Sequence, residues 1–426
     1  HYRDVSYLGW NSGGIGSNFV LVPGTTPVLI QGNIAYSSYI IKLKESGLPK
    51  RKSGINGFNL GLDFTYFNGD DELQYGLEIL GFQTDYDFEN AYGDIDIEEN
   101  TTEFSGFVRY KLKTEKLIIE PGLRLYKYNA TSASLEPRFG AKFLANDKLR
   151  FKLAVGKYTQ NLVSTSSDRD VVNLFYGFLT APDDIPDEFL GVEVVNGLQK
   201  ANHLIIGLEY DISENIDFNI EGYAKEFTQL SNTNKDKTTA SETNFIIEEG
   251  LAKGLDFVLK YSDTKFYFWA VYSLGHITRT DENLTYHPHF DRRHNINLVS
   301  TYKFGYQNSW SLDARWNLGS GFPFTQTQGF YPLLNFEDGI NSNYLTENGE
   351  LGILYADINQ GRLPYYHRLD IALKKEYKLS KNSTFNWNLG VTNAYNRENI
   401  FYFNRIKYER VNQLPLMPSF GMSLTF

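Results

Sequence analysis

The sequence has no cysteine and only two methionines. Disulfide staples, thiolate metal sites and cysteine nucleophiles are thereby excluded. Long apolar runs are missing too: nothing approaches the roughly 18 residues of a membrane helix, and the mean hydropathy is −0.39. Basic residues are in deficit, 41 Lys and Arg against 51 Asp and Glu, for a formal charge of −10. That balance argues against a nucleic-acid partner. His1-Tyr2-Arg3-Asp4 forms neither the basic nor the apolar part of a secretion signal, so an exported chain is expected to begin upstream of it.

What the chain has in excess is aromatic side chains, 30 Tyr, 31 Phe and 5 Trp, or 15% of the total. Girdles of such residues mark the two interfaces of a membrane β-barrel. A polar average composition fits the same class, because only alternate strand residues meet lipid. Residues 418–426 show this best: Phe420, Met422, Leu424 and Phe426 fall on one parity, Ser419, Gly421, Ser423 and Thr425 on the other. Period two specifies a strand with one apolar face. The alternation recurs at Phe58/Leu60/Leu62/Phe64, Leu73/Tyr75/Leu77/Ile79, Phe151/Leu153/Val155, Leu204/Ile206/Leu208/Tyr210, Leu255/Phe257/Leu259 and Leu369/Ile371/Leu373. With less tidy segments it predicts about sixteen or seventeen strands of bilayer-crossing length. Residues 1–32 read as irregular, broken by Gly13-Gly14 and Pro23, and 33–43 as an untidy strand.

The opposite faces carry both signs of charge: Glu120 with Arg124, Glu136 with Arg138 and Lys142, and Arg368 with Asp370, Lys374 and Glu376. One closed sheet around a polar lumen accounts for this more simply than a string of sandwich domains. Short polar links near Gly69, Thr114, Asp147, Glu214, Asp263, Tyr306 and Lys381 alternate with long segments at 85–100, 160–200, 228–244, 279–291 and 319–363, the link near Ala130 being a short exception. Turns at one rim and loops at the other are the expectation. The fold class is all-β, an antiparallel transmembrane β-barrel occupying residues 1–426.

Several segments resemble the barrel of TonB-dependent outer-membrane transporters, in particular the SusC-like branch of Bacteroidota. They are Glu120-Pro121-Gly122-Leu123-Arg124-Leu125, Glu136-Pro137-Arg138-Phe139, Gly156-Lys157-Tyr158-Thr159-Gln160-Asn161-Leu162 and Phe290-Asp291-Arg292-Arg293-His294-Asn295. Arg315-Trp316-Asn317-Leu318-Gly319-Ser320-Gly321-Phe322-Pro323-Phe324-Thr325, Gly361-Arg362-Leu363-Pro364-Tyr365-Tyr366-His367-Arg368-Leu369-Asp370 and Asn393-Ala394-Tyr395-Asn396-Arg397-Glu398-Asn399 continue the likeness. The resemblance implies a 22-stranded barrel with an N-terminal plug, import of a metal chelate, vitamin, glycan or peptide, and energy from the TonB complex through the plug. It also implies a place in the outer-membrane bilayer, and as partner a SusD-like surface lipoprotein or other outer-membrane complex subunits. No plug segment is recognisable, so the plug and first strands are expected to lie outside this sequence. The resemblance assigns Phe426 to barrel assembly.

Candidate site residues are few. Phe322, Phe324, Phe330, Tyr331, Phe336 and Tyr344 stand in the longest C-terminal segment, where rings can stack on a ligand. His287, His289, Asp291 and His294 are weak metal candidates; no metal or other cofactor is expected. Asp85, Asp87, Glu89, Asp94, Asp96, Glu98 and Glu99 read as a solvated acidic loop rather than a calcium site. No catalytic constellation stands out, which argues against an enzyme. A passive porin-type channel and a structural barrel subunit of a surface complex are the alternatives.

Overall fold

The computed structural model describes residues 5–45, 50–90, 93–129, 133–165, 175, 177–180, 182–234, 237, 239, 241–282, 284–333, 350–380, 382–405 and 408–426. Its main feature is an 18-stranded sheet, one member of which, Thr285–Tyr286, is only two residues long. The other seventeen form a continuous wall. They are β1 (Val5–Leu21), β2 (Val28–Glu45), β3 (Arg51–Asn68), β4 (Asp71–Asn90), β5 (Gly93–Lys113), β6 (Leu117–Tyr128), β7 (Ser134–Leu144) and β8 (Leu149–Gln160). Next come β9 (Gln199–Ser213), β10 (Ile216–Thr233), β11 (Phe245–Ser262), β12 (Phe266–Thr280), β13 (His294–Phe304), β14 (Trp310–Gly319), β15 (Tyr366–Lys378), β16 (Thr384–Thr392) and β17 (Met417–Thr425). Each pairs antiparallel with its sequence neighbours. The strand number expected from periodicity is met.

The links fall into two sets. At one rim they are 22–27, 69–70, 114–116, 145–148, 214–215, 263–265, 305–309 and 379–383. At the other rim the wall strands are joined by 46–50, 91–92, 129–133, 161–198, 234–244, 281–293, 320–365 and 393–416. All extended connections share the second rim, as the alternation predicts. Several hold hairpins of their own, at Leu162–Thr165 with Gly177–Thr180, Thr327–Leu333 with Glu350–Tyr355, and Ile400–Asn404 with Glu409–Asn412.

The two faces are as the parity predicts. Leu77 is 66% exposed, and Ile206, Leu125, Phe420 and Met422 also lie open on the outward face. The inward face is ionic. Glu136, wholly buried, accepts from Arg138 Nη2 at 2.7 Å and Arg124 Nη1 at 3.3 Å. Arg150 grips Asp211 with both terminal nitrogens at 2.7 and 2.6 Å and donates from Nε to Glu209 at 2.9 Å. Lys142 and Lys152 complete the cluster around Glu209 at 2.8 and 3.0 Å. Buried charge is tolerated when each ion is paired and hydrogen-bonded.

Two expectations are overturned. From residue 5 on, the N-terminal stretch is not irregular: Val5–Leu21 runs beside Val28–Glu45 in near-continuous register, with Gly13 and Gly14 opposite Ser38 and Ser37. Glycine weakens a strand without forbidding it. The acidic stretch is not a loop either. β4 and β5 simply continue, placing Asp85 opposite Glu98 and Asp87 opposite Asp96.

In that extension the apolar parity inverts. Along β2 the exposed apolar residues are Ile34 and Tyr36, but farther on Ile41 and Leu43 are buried while Lys44 is exposed. Along β4 exposed Tyr75 and Leu77 give way to buried Thr84 and Tyr86. The reason is a second core at the mouth: Ile41, Leu43 and Tyr86 pack with Phe175, Leu179 and Phe245, with Tyr39, Ile97 and Ile185 against them. Part of the 161–198 connection thus folds across to β2, β4 and β5. Phe178 N donates to Ser53 Oγ at 2.9 Å, and Thr180 Oγ1 to Glu99 Oε2 at 2.7 Å.

A cationic aromatic cavity at the rim of long segments

The long connections 281–293, 320–365 and 393–416 meet above β14 and β15 around a cavity of about 610 Å³. Arg292, Phe322, Tyr366, Tyr395, Arg397 and Arg410 line it. Its frame begins at Asp291, a fully buried carboxylate. Asp291 Oδ1 accepts from the Ile277 amide at 3.0 Å and Oδ2 from Arg362 Nη2 at 2.6 Å. Arg362 Nη1 also donates to the carbonyls of Asp291 and Gly321, at 3.4 and 3.3 Å. One guanidinium therefore ties two of the three connections together.

The next residue, Arg292, turns into the cavity. Its guanidinium lies 4.1 Å from the ring centroid of Phe322 and 5.7 Å from that of Tyr366, cation–π geometry in both cases. It rests over Gly319, where a Cβ would stand 2.4 Å from Arg292 Cζ, so a side chain there would displace the cation. Arg292 Nε is buried without a hydrogen-bond partner, and no ion pair to Arg292 occurs among the described residues. Burial draws its pKa below the ordinary guanidinium value, opposed by Tyr366; it stays protonated at any physiological pH. Arg397 donates to the Tyr365 carbonyl at 3.4 Å. Arg410 Nε donates to Asn412 Oδ1 at 2.7 Å, and its guanidinium is 3.9 Å from Glu398. Fixed cations between flat apolar walls suit a ligand that carries both anionic oxygens and ring surface.

Of the aromatic candidates among the described residues, only Phe322 lines this cavity. Phe324 sits 6.0 Å from Phe403 and Phe330 5.8 Å from Tyr408, while Tyr331 is half exposed. Phe336 and Tyr344 lie outside the described residues. The histidines are divided among different partners. His287 Nδ1 is 2.7 Å from the Ile277 carbonyl, His294 Nδ1 is 3.0 Å from the Tyr272 hydroxyl, and the His289 ring stands edge-on to Phe290. Among the described residues no three His, Asp or Glu side chains gather as a metal site would require. Arg292, Arg397 and Tyr366 were missed as site residues, because each lies in a stretch that also reads as barrel framework. The available signal was the two adjacent arginines after Asp291.

No protein-family model matches the chain, and no curated protein matches it. Solved structures do. The ferric-catecholate import receptor Fiu of E. coli K12 superposes with a TM-score of 0.65 at 10% identity, over 100% of this chain and 65% of that one. A mutant of the ferric enterobactin receptor PfeA of Pseudomonas aeruginosa gives 0.63 at 10%, over 98% and 61%. The siderophore receptor PirA of Acinetobacter baumannii gives 0.62 at 12%, over 98% and 62%. The chain thus spans less than two thirds of the length of each. At such identities the likeness is one of architecture: the chain shares the large antiparallel β-sheet wall of these receptors.

Proposed function

We propose that the chain is the wall of a TonB-dependent importer in the bacterial outer membrane, with its long-segment rim at the cell surface. The observation that carries this reading is the cavity of Arg292, Phe322 and Tyr366 among the long connections, on a wall with an open apolar outer face. Among metal chelates, vitamins, glycans and peptides, three arginines favour an anionic metal chelate with aromatic or carboxylate ligands. The import energy comes, on this proposal, from the TonB complex acting on an N-terminal plug within a 22-stranded barrel. The proposal extends to the SusC-like branch and a SusD-like surface lipoprotein partner on the motif resemblance alone. Phe426, 90% exposed at the end of β17, is proposed to serve insertion.

Uptake tests the reading. A deletion strain is given radiolabelled ferric catecholate, ferric citrate, cobalamin and a neutral oligosaccharide, and complemented with the wild-type gene or with Arg292→Gln. The expected result is loss of one ferric chelate on deletion, rescue by wild type, and poor rescue by Arg292→Gln at equal barrel levels. Unchanged uptake of all four, with ion conductance in planar bilayers, would instead support a passive channel.

A further inference from the structure

Near the rim of short links, one cross-strand row runs over five strands of the outward face. Phe304 stands opposite Trp310, Trp310 opposite Lys375, Lys375 opposite Trp387, and Trp387 opposite Met422. The neighbouring row nearer the rim holds Tyr377, Phe385 and Leu424. By parity Lys375 is the only Lys, Arg, Asp or Glu on the outward face of β13 to β17 among the described residues. A lone cation on an apolar wall needs a reason.

Its surroundings supply one. Lys375 Nζ is 4.9 Å from the Trp310 ring centroid and 5.1 Å from that of Tyr377. It donates to Ser309 Oγ at 2.6 Å, which leaves two ammonium protons, and no ion pair to it occurs among the described residues. Trp310 packs edge-on to Trp387 at 5.6 Å and stacked on Phe304 at 6.0 Å. Trp and Tyr gather where hydrocarbon meets headgroups, so this row marks headgroup depth. There a lysine is tolerated far better than at the midplane. An ammonium with two free donors, a neighbouring hydroxyl and indole N–H groups is complementary to a phosphate diester, and the flanking rings to its acyl chains.

We propose that Lys375, Ser309, Trp310 and Trp387 form a binding site for the phosphate of an anionic phospholipid in the leaflet at the short-link rim. The inference rests on the membrane reading above, and one experiment separates the two. The full chain in dodecylmaltoside is titrated with dioleoylphosphatidylglycerol and bound lipid is counted by native mass spectrometry. Dioleoylphosphatidylcholine and inorganic phosphate are the comparison arms. Lys375→Met, whose apolar side chain is compatible with lipid, should bind phosphatidylglycerol about fivefold more weakly, the equivalent of roughly 1 kcal/mol per basic residue near an anionic surface. Lys375→Arg should retain binding. Equal phosphatidylglycerol binding by wild type and Lys375→Met overturns the site, and so does displacement of the lipid by inorganic phosphate. Failure of the wild type to insert, heat-modifiable, into phosphatidylcholine liposomes sinks the membrane reading instead.

Discussion

Arg362 and Asp291, 71 residues apart in sequence, are joined at 2.6 Å, with the carboxylate fully buried and the guanidinium about one third exposed. Removing one partner of a buried pair strands a charge and costs about 3–5 kcal/mol. Arg293 at 3.7 Å offsets part of this. Arg362→Gln is therefore expected at the lower end of that range. Urea unfolding in liposomes reads it, and adding Asp291→Asn should recover stability. A double variant as unstable as the single one would show that Arg362 acts through its carbonyl contacts instead.

Charge should be tolerated by parity along β15. Ile371 lies on the outward face, and Ala372, on the inward one, is opposite Asp313. Ile371→Arg should cost roughly 2–4 kcal/mol at mid-membrane, and Ala372→Arg little. Folded fractions after refolding into liposomes, read by gel shift, compare the two. Equal fractions would refute the face assignment.

The 263–265 link carries an acid-sensitive cap. Asp263 Oδ1 accepts from the Lys265 and Phe266 amides, both at 2.7 Å, and Oδ2 from the Tyr261 hydroxyl at 2.7 Å. The Phe266 amide is the largest cause of its lowered pKa. A depressed carboxylate stabilises above its unfolded pKa and loses that contribution as pH falls through the folded one. Hydrogen exchange at Lys265 and Phe266 should accelerate below the ordinary carboxylate range. Asp263→Asn keeps an acceptor but not the charge, so its exchange should lack that acid step.

The rims predict accessibility. Val195, 72% exposed, and Tyr331 belong to the long-segment rim, Ser213 and Ser380 to the other. Cysteines at Val195 and Tyr331 should react with a membrane-impermeant maleimide on intact cells. Those at Ser213 and Ser380 should react only after permeabilisation. Whole-cell labelling at Ser380 would invert the proposed orientation.

Most of the wall was readable because an apolar outward face and an ionic inward one impose one polarity contrast along a strand, visible in Leu204 to Tyr210 without any partner. β1 was not readable: Gly13, Gly14 and Gly16 give no face to count. The Asp85-to-Glu99 extension failed for a different reason. Acidic residues have low strand propensity, yet inward Tyr86 and Ile97 are held by Phe175 and Leu179 from a distant connection. Arg292 became a site residue through its packing on Phe322 and Gly319; locally it was marked only by the pair of arginines after Asp291. Phe322, the one described aromatic candidate lining the cavity, was found because rings were sought in the longest connection.

The inversion of parity along the tall strands also works as a ruler. The outward apolar stretch runs over 28–36 on β2, 73–81 on β4 and 104–112 on β5, the same length each time. At about 3.3 Å per residue that is roughly 30 Å along the strand, or about 23 Å at a tilt of about 40°. Beyond it the strands carry water-facing charge outside and apolar packing inside, so they cannot slide deeper without burying Lys44 or Asp85 in hydrocarbon. Thickening the bilayer by a few ångströms would have to be met by tilting or by deforming the lipid, each at a fraction of a kcal/mol per ångström of mismatch. On the proposed placement, the wall is gauged for a thin membrane and resists a thick one.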